Sequence, residues 1–452
     1  IHPNESFQRV SGAWISRGNG QESLTALRSP VLTGPGSCGS FFMGQDGISL
    51  RAPGFCNVNQ LFDANTEQAE RIEVIKGPAT ALYGSGAMHG VINVISPSPQ
   101  EGTFHRVSVE GGPHDYYRGK YLFNTLGDRH GLVLALNGAT DDGYKDDSGY
   151  DQYKFTVNHS YQGDGFSTST IVSGTDLDQE TAGFIQEGRE AYKVGRWRKY
   201  NPNPEAYRDA QSWHAQSTIS IPLQEGDLLT VTPYFRDNDM EFLQHFLPWQ
   251  PVEENGQTSY GVNTKWYRDA TWLQFTSGID LEYTDGWLTE IQDEPFPSPN
   301  FPPGVHYDYQ VDAIVAAIYS QVEWDLAPAW SLSAGLRYEY AEYDYDNKTD
   351  DGPACSPAAS NCRFFRPADR DDDFDDVSIN VGLLWDYAAQ HASYLRVARG
   401  FRAPQATELY RLQAGQENAD LDSEELTSFE WGLRGQGETW QYELGLYYAE
   451  KD

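Results

Sequence analysis

The sequence predicts an all-β-dominated protein, a transmembrane antiparallel β-barrel preceded by a compact N-terminal α+β domain. Three observations predict it. Long stretches alternate apolar and polar residues with a period of 2. Their connections are short on one side and long, polar and acidic on the other. Apolar stretches such as Ala313 to Tyr319 fall far short of the roughly 20 residues a helical span needs.

The N-terminal region, residues 1–98, has short strands, dense glycine and nearly balanced charge. It holds six basic residues (Arg9, Arg17, Arg28, Arg51, Arg71, Lys76) against seven acidic ones (Glu5, Glu22, Asp46, Asp63, Glu67, Glu70, Glu73). The whole chain of 452 residues carries −34, so residues 99–452 hold nearly all of the excess. Such a charge opposes a polyanion and excludes nucleic acid as a partner. Aromatic residues make up 13%, which an acidic disordered chain would not have.

Residues 99–452 read as one meander of about 15 strands, beside the even numbers of bacterial barrels. Leu332, Ala334, Leu336, Tyr338 and Tyr340 alternate with Ser331, Ser333, Gly335, Arg337 and Glu339. Val377, Ile379, Val381, Leu383 and Trp385 do the same, with Leu384 the exception on the other face. Tyr442, Leu444, Leu446 and Tyr448 continue the pattern to the end. Tight turns are expected at Ala327-Pro328-Ala329 and Gln162 to Gly165, and a long acidic loop from Asp346 to Asp373. No repeat of 40–50 residues suggests a propeller, and a sandwich rarely needs so many long strands. No leader is visible in Ile1 to Ser11, and the last residues are strand-like, so both ends are expected to continue in a longer protein.

Cys38 and Cys56 lie in one Gly/Pro-rich stretch, Cys355 and Cys362 in another. Even number and clustering suggest two disulfides and an oxidising compartment. Three pairings are open, with the two local ones favoured. Free thiols are the alternative. Zinc lacks both a C-x-x-C spacing and a neighbouring histidine.

The specific signal is Arg71-Ile72-Glu73-Val74-Ile75-Lys76-Gly77-Pro78 followed by Ala81-Leu82-Tyr83-Gly84-Ser85-Gly86 and Gly90-Val91-Ile92-Asn93-Val94-Ile95. Gly77-Pro78 ends a strand, and Gly84 and Gly86 permit a reversal with positive φ. The glycine spacing fits no phosphate loop. This segment resembles the plug domain of TonB-dependent outer-membrane receptors, with Lys76, Gly77, Pro78, Tyr83, Gly84, Gly90 and Asn93 on its motif. Ile15 to Gly18 and the strand-like Gln45 to Ile48 resemble further plug segments. Gly400-Phe401-Arg402-Ala403-Pro404 with Glu408-Leu409-Tyr410 resembles a barrel signature, and Asn418, Leu421, Glu424, Glu430 and Gly432 fit the strand after it.

The resemblance implies a barrel of about 22 strands with the plug, residues 1–98, in its lumen, and about seven strands beyond Asp452. It implies active uptake of a scarce nutrient, by family frequency a ferric siderophore or other metal chelate, driven by the periplasmic TonB complex. Haem, cobalamin, nickel chelates and oligosaccharides stay open. The haem reading is weakened because Gln405 to Glu417 holds no histidine. A passive porin or adhesin is the alternative of another class, which a plug argues against. No G-x-S-x-G or H-E-x-x-H motif points to an enzyme.

Ligand candidates follow from the expected vestibule. In the plug, the segments Thr33 to Phe42 and Ser49 to Phe55 offer Phe41, Phe42, Arg51 and Phe55; the two phenylalanines can equally pack the plug core. Gln186 to Arg208 is a basic island with Arg189, Lys193, Arg196, Arg198, Lys199 and Arg208 against Glu187, Glu190 and Glu205. It suits an anionic ligand, lipopolysaccharide phosphates or acidic neighbours. Met240 to Trp249 is an apolar loop with His245 and Trp249. Arg402 of the barrel signature completes the candidates. No cofactor or resident metal is expected, apart from surface Ca²⁺ or Mg²⁺ at the acidic loops Asp344 to Asp351 and Asp371 to Asp376, which lack EF-hand spacing.

Overall fold

The alternating stretches form one 15-stranded sheet, from Phe104–Gly111 to Gln441–Lys451, each strand antiparallel to its neighbours along the meander. This is a computed structural model describing residues 2–32, 37–57, 60–185, 188, 190–357, 359–416 and 419–452. Thr33, Gln186, Glu187, Arg189, Glu417 and Asn418 lie outside the described residues. Among the described residues no helix is long and apolar enough to cross a membrane.

Connections on one side are tight, as at 271–272, 328–329 and 389–390. On the other they are long, as at 180–207 and 403–423. The loop expected from Asp346 to Asp373 is shorter, because pairing continues through Asn347 and resumes at Arg370. Acidic residues there remain in the ladder.

The sheet is inverted relative to a water-soluble protein. Leu336 and Tyr338 are 53% and 43% exposed, whereas Arg337 and Glu339 between them are 4% and 3% exposed. In water this would bury charge and expose hydrocarbon, both unfavourable. In a bilayer the apolar face meets lipid and the polar face lines the lumen. Trp330 stacks on Trp385 at 5.3 Å beside the tight turns, as an interfacial girdle requires. The strand Gly304–Ala327 runs roughly 80 Å at 3.3 Å per residue, so its loop end stands clear of the hydrocarbon. On that upper wall Asp285, Asp312, Asp344 and Asp371 lie directly opposite one another on four adjacent strands. The inner face of the same strands packs Val311, Ala313, Tyr343 and Tyr345 in an apolar cluster.

The plug starts with a short helix, Pro3–Phe7, with proline at the first turn and His2 Nδ1 accepting from the Asn4 amide at 3.1 Å. A hairpin, Ala13–Arg17 with Ser23–Leu27, follows. A four-stranded sheet places Gly90–Ile95 between Phe41–Gln45, which it pairs in parallel, and Arg71–Lys76, which it pairs antiparallel. Phe7, Ile15, Leu27, Phe41, Met43 and Ile92 fill its core. Asp46-Gly47, expected within a strand, form the turn between Phe41–Gln45 and Ile48–Ser49, with φ of +50° and +86°. Gly84 has φ +80°, but Gly86 does not take the positive φ expected of it and sits in the 3₁₀ turn Ser85–Ala87.

Plug and wall are joined by buried charge. Glu67 meets Lys154 at 3.1 Å and Arg118 at 3.7 Å. Arg28 meets Glu430 at 2.7 Å. Thr175 Oγ1 donates to the Asp63 carbonyl at 2.7 Å, and Lys154 Nζ to the Ala64 carbonyl at 2.8 Å.

Candidate functional site: the external vestibule

The plug and the long connections enclose a cavity of about 790 Å³. Two plug segments form part of its lining. One is the hairpin turn at Gly18 to Glu22, where the Gly18 amide donates to the Glu22 carbonyl at 2.9 Å. Asn19 Nδ2 fixes that turn to the Ala182 carbonyl at 2.7 Å, and the Gln21 amide to Gln179 Oε1 at 2.6 Å. The other is the disulfide Cys38–Cys56 with Asn57. The second disulfide is Cys355–Cys362, so both local pairings are present. The disulfide loop docks on the barrel signature: the Ala406 amide donates to the Gly54 carbonyl at 2.9 Å, and the Cys56 amide to Gln405 Oε1 at 3.4 Å.

The wall contributes a buried polar network. Arg411 pairs with Glu253 at 2.8 Å and also with Glu290. Gln244 Nε2 donates to Glu253 at 2.9 Å. His306 Nδ1 bonds Glu290 at 2.8 Å, and its ring stacks on Phe364 at 3.6 Å. Arg208 pairs with Glu22 at 3.0 Å and lies over the Phe242 ring at 4.2 Å. The lining acids therefore each touch an arginine: Glu22 has Arg208 to itself, and Glu253 and Glu290 share Arg411. Among the described residues no group of three or more His, Cys, Asp or Glu comes together to hold a metal.

The sequence candidates divide. His245 and Trp249 line the cavity. Burial pushes the His245 imidazole below its usual range. Trp249 packs on Phe301 at 4.4 Å, and its indole Nε1 is buried without a hydrogen-bond partner among the described residues. Phe55 turns from the opening toward Tyr343, with ring centroids 6.3 Å apart. Phe41 and Phe42 are buried in the plug, Phe42 against Tyr83 at 4.9 Å. Arg51 is 4% exposed and faces Asp63 at 3.5 Å, inside the plug rather than on the cavity. Arg402 is held by Glu408 at 2.8 Å and Glu424 at 2.9 Å. The described cations of the basic island spread apart: Lys193 pairs with Glu190, Arg196 lies over Trp197 at 4.6 Å, and Arg198 is exposed. Among the described residues of that island, Arg208 is the cation that lines the cavity. Met240 points inward, its sulfur 3.0 Å from Arg208.

Sequence reasoning missed Arg17, Lys145, Tyr307, Arg363, Phe364 and Arg411, all on the lining. They come from segments far apart in the chain, so no local motif announces them. Arg411, directly after the Glu408-Leu409-Tyr410 match, was the nearest to a readable signal.

Comparison with known proteins agrees with this architecture. The family described as "TonB-dependent Receptor Plug Domain" matches residues 2–91, and "TonB dependent receptor-like, beta-barrel" matches residues 103–452. The metal-pseudopaline receptor CntO of Pseudomonas aeruginosa (strain UCBPP-PA14) is 35% identical over 222 residues, covering 47% of this chain. The match spans 30% of that receptor's length. The unliganded ferric citrate transporter FecA superposes with a TM-score of 0.80 at 14% identity, over 99% of this chain and 67% of that one. The ferric yersiniabactin uptake receptor FyuA from Yersinia pestis gives 0.79 at 16%, over 99% and 69%. At these identities the structural likeness shows a shared fold. With both domains matched in order along one plugged sheet, the chain belongs to the TonB-dependent receptors, the plugged β-barrels of the outer membrane.

Proposed function

We propose that the protein takes up a metal chelate across the outer membrane, a ferric siderophore in the first instance, by TonB-dependent transport. The observation that supports this is the vestibule whose lining is shared by plug and wall. A ligand there touches the Gly18–Glu22 turn and the Cys38–Cys56 loop directly, so binding is felt by the element that must move. The buried plug–wall ion pairs oppose passive diffusion and so support transport driven by work on the plug. TonB, energised from the inner membrane, would supply that work from the periplasm, with lipopolysaccharide surrounding the barrel. The metal-pseudopaline receptor resembling part of this chain favours a chelate over haem, cobalamin or an oligosaccharide. Growth of a deletion strain on separate iron-chelate, haem, cobalamin and glycan sources tests it. Loss of growth on one chelate alone is expected; unaltered growth on all of them would overturn the reading.

A further inference from the structure

We infer that the vestibule selects chelates carrying at least two uncompensated negative charges, and that Arg17, Lys145 and Arg363 are the residues that read this charge. The inference rests on the uptake reading and narrows its substrate class.

The lining carries more positive than negative charge. The three lining acids already touch arginines, Glu22 with Arg208 and the pair Glu253 and Glu290 sharing Arg411, so five lining cations face three acids and an excess of two positive charges is left. The remaining cations of the lining are Arg17, Lys145 and Arg363. None of the three makes an ion pair within 4 Å among the described residues. Lys145 instead donates to the Gly183 carbonyl at 2.6 Å, a neutral partner that leaves its charge uncompensated. Burial alone pulls the Lys145 ammonium below its ordinary range, with no carboxylate opposing it. The cavity thus concentrates positive charge in a chain of net −34, where long-range attraction for an anion would otherwise be absent. Arg17 is exposed and Lys145 and Arg363 are half-buried, so all three can offer a ligand's carboxylate or phenolate oxygens charge-assisted hydrogen bonds.

A second feature points to the ligand's other part. Phe184 is 80% exposed and Phe246 is 61% exposed, and both line the same cavity. Large apolar rings left open beside unpaired cations suit a ligand with an apolar or aromatic portion adjoining its anionic groups.

The test measures binding to the intact receptor in detergent by tryptophan fluorescence. The probes are three iron(III) complexes: an anionic carboxylate chelate, an anionic catecholate chelate and a neutral trihydroxamate. At least one anionic complex should bind, and the neutral one at least tenfold more weakly. Arg17→Gln, Lys145→Gln and Arg363→Gln should each weaken the anionic complex about tenfold without changing the neutral one. The carboxylate and catecholate arms tell which oxygen chemistry is preferred, and preference for either supports the inference. Tight neutral binding, or a triple variant that keeps full anionic affinity, overturns the charge rule while leaving chelate uptake intact. Failure of all three complexes to bind overturns both. A circular-dichroism and heat-mobility check on each variant separates lost binding from lost folding.

Discussion

Glu67 of the plug and Lys154 of the barrel wall face each other at 3.1 Å, each with 1% of its side chain exposed. Arg118 approaches the same carboxylate at 3.7 Å. One plug acid therefore compensates two wall cations, and the two halves of the contact are not equivalent. Lys154→Met should leave Glu67 still paired with Arg118. Glu67→Gln should leave two buried cations unpaired and cost more, about 3–5 kcal/mol. Hydrogen exchange of plug amides near residues 60–70 reads both. Equal effects of the two substitutions would contradict this asymmetry.

Plug stability should fall as the medium is acidified below about pH 6.5. Burial lowers both His2 and His89 to about 4 from 6.5. Between those values the folded plug holds fewer protons than the unfolded chain, so stability is full above 6.5 and is lost toward 4. Asp63 opposes this, because burial raises it from 3.8 to about 6 and the folded plug then gains protons over that window. Asp46, raised by burial, opposes it too. Glu67, held low by Lys154 and Arg118 against its own burial, acts with the histidines. Two histidines and Glu67 against two aspartates leave a net loss on acidification. Plug exchange rates at pH 7 and pH 5 check the sign, and His89→Gln should flatten the slope.

Removing the Cys38–Cys56 bridge with Cys38→Ser/Cys56→Ser should destabilise the plug by about 3 kcal/mol, on loop-closure grounds for a separation of 18 residues. Ligand affinity should drop, because Cys38 and Cys56 both line the cavity. The wall has its own ladder, so heat-dependent gel mobility should be retained. Unchanged affinity in the double variant would argue against coupling between this loop and the ligand.

Gly90→Ala should damage the plug sheet. An added Cβ would lie 2.4 Å from the Ile75 carbonyl oxygen, at a φ of +154°. Both neighbours are paired strands and cannot retreat cheaply, so a loss of about 2 kcal/mol or more is expected. Proteolysis of the plug in otherwise intact barrels measures it.

The outward apolar face can be probed at Leu336, where Leu336→Arg should cost about 2–4 kcal/mol if the site lies near the bilayer midplane. Folding yield into lipid vesicles reports it. Free tolerance of the charge would show that this face does not meet lipid.

The wall was legible because lipid and lumen impose a strict two-residue period, visible at Leu336-Arg337-Tyr338-Glu339. The plug was legible through the motif that ends in Gly90 to Ile95, a strand buried on both faces and apolar but for Asn93. Turn chemistry at Asp46-Gly47 was readable in principle but was masked by the strand pattern around it. The site was much less legible. Arg51 looked free for a ligand, yet Asp63 holds it; Arg402 is likewise held by Glu408 and Glu424. Arg411 meets Glu290 across 121 positions of chain. Periodicity tells which face a side chain takes but not which partner stands opposite. The basic island misled because, among its described residues, Lys193, Arg196, Arg198 and Lys199 are exposed on the folded loop, and Arg208 is already paired with Glu22 of the plug.

The row Asp285, Asp312, Asp344 and Asp371 also bears on the shape of the wall. Like charges directly opposite push their strands apart, while the cluster around Tyr343 and Tyr345 draws the other surface of those strands together. Expansion on one surface and contraction on the other bends a sheet, as unequal expansion bends a bimetallic strip. Both forces act in the same sense, toward curling inward around the vestibule. Neutralising the row by acid or screening it with salt would relax part of that bend, so the curvature of the upper wall should respond to the ionic composition outside the cell.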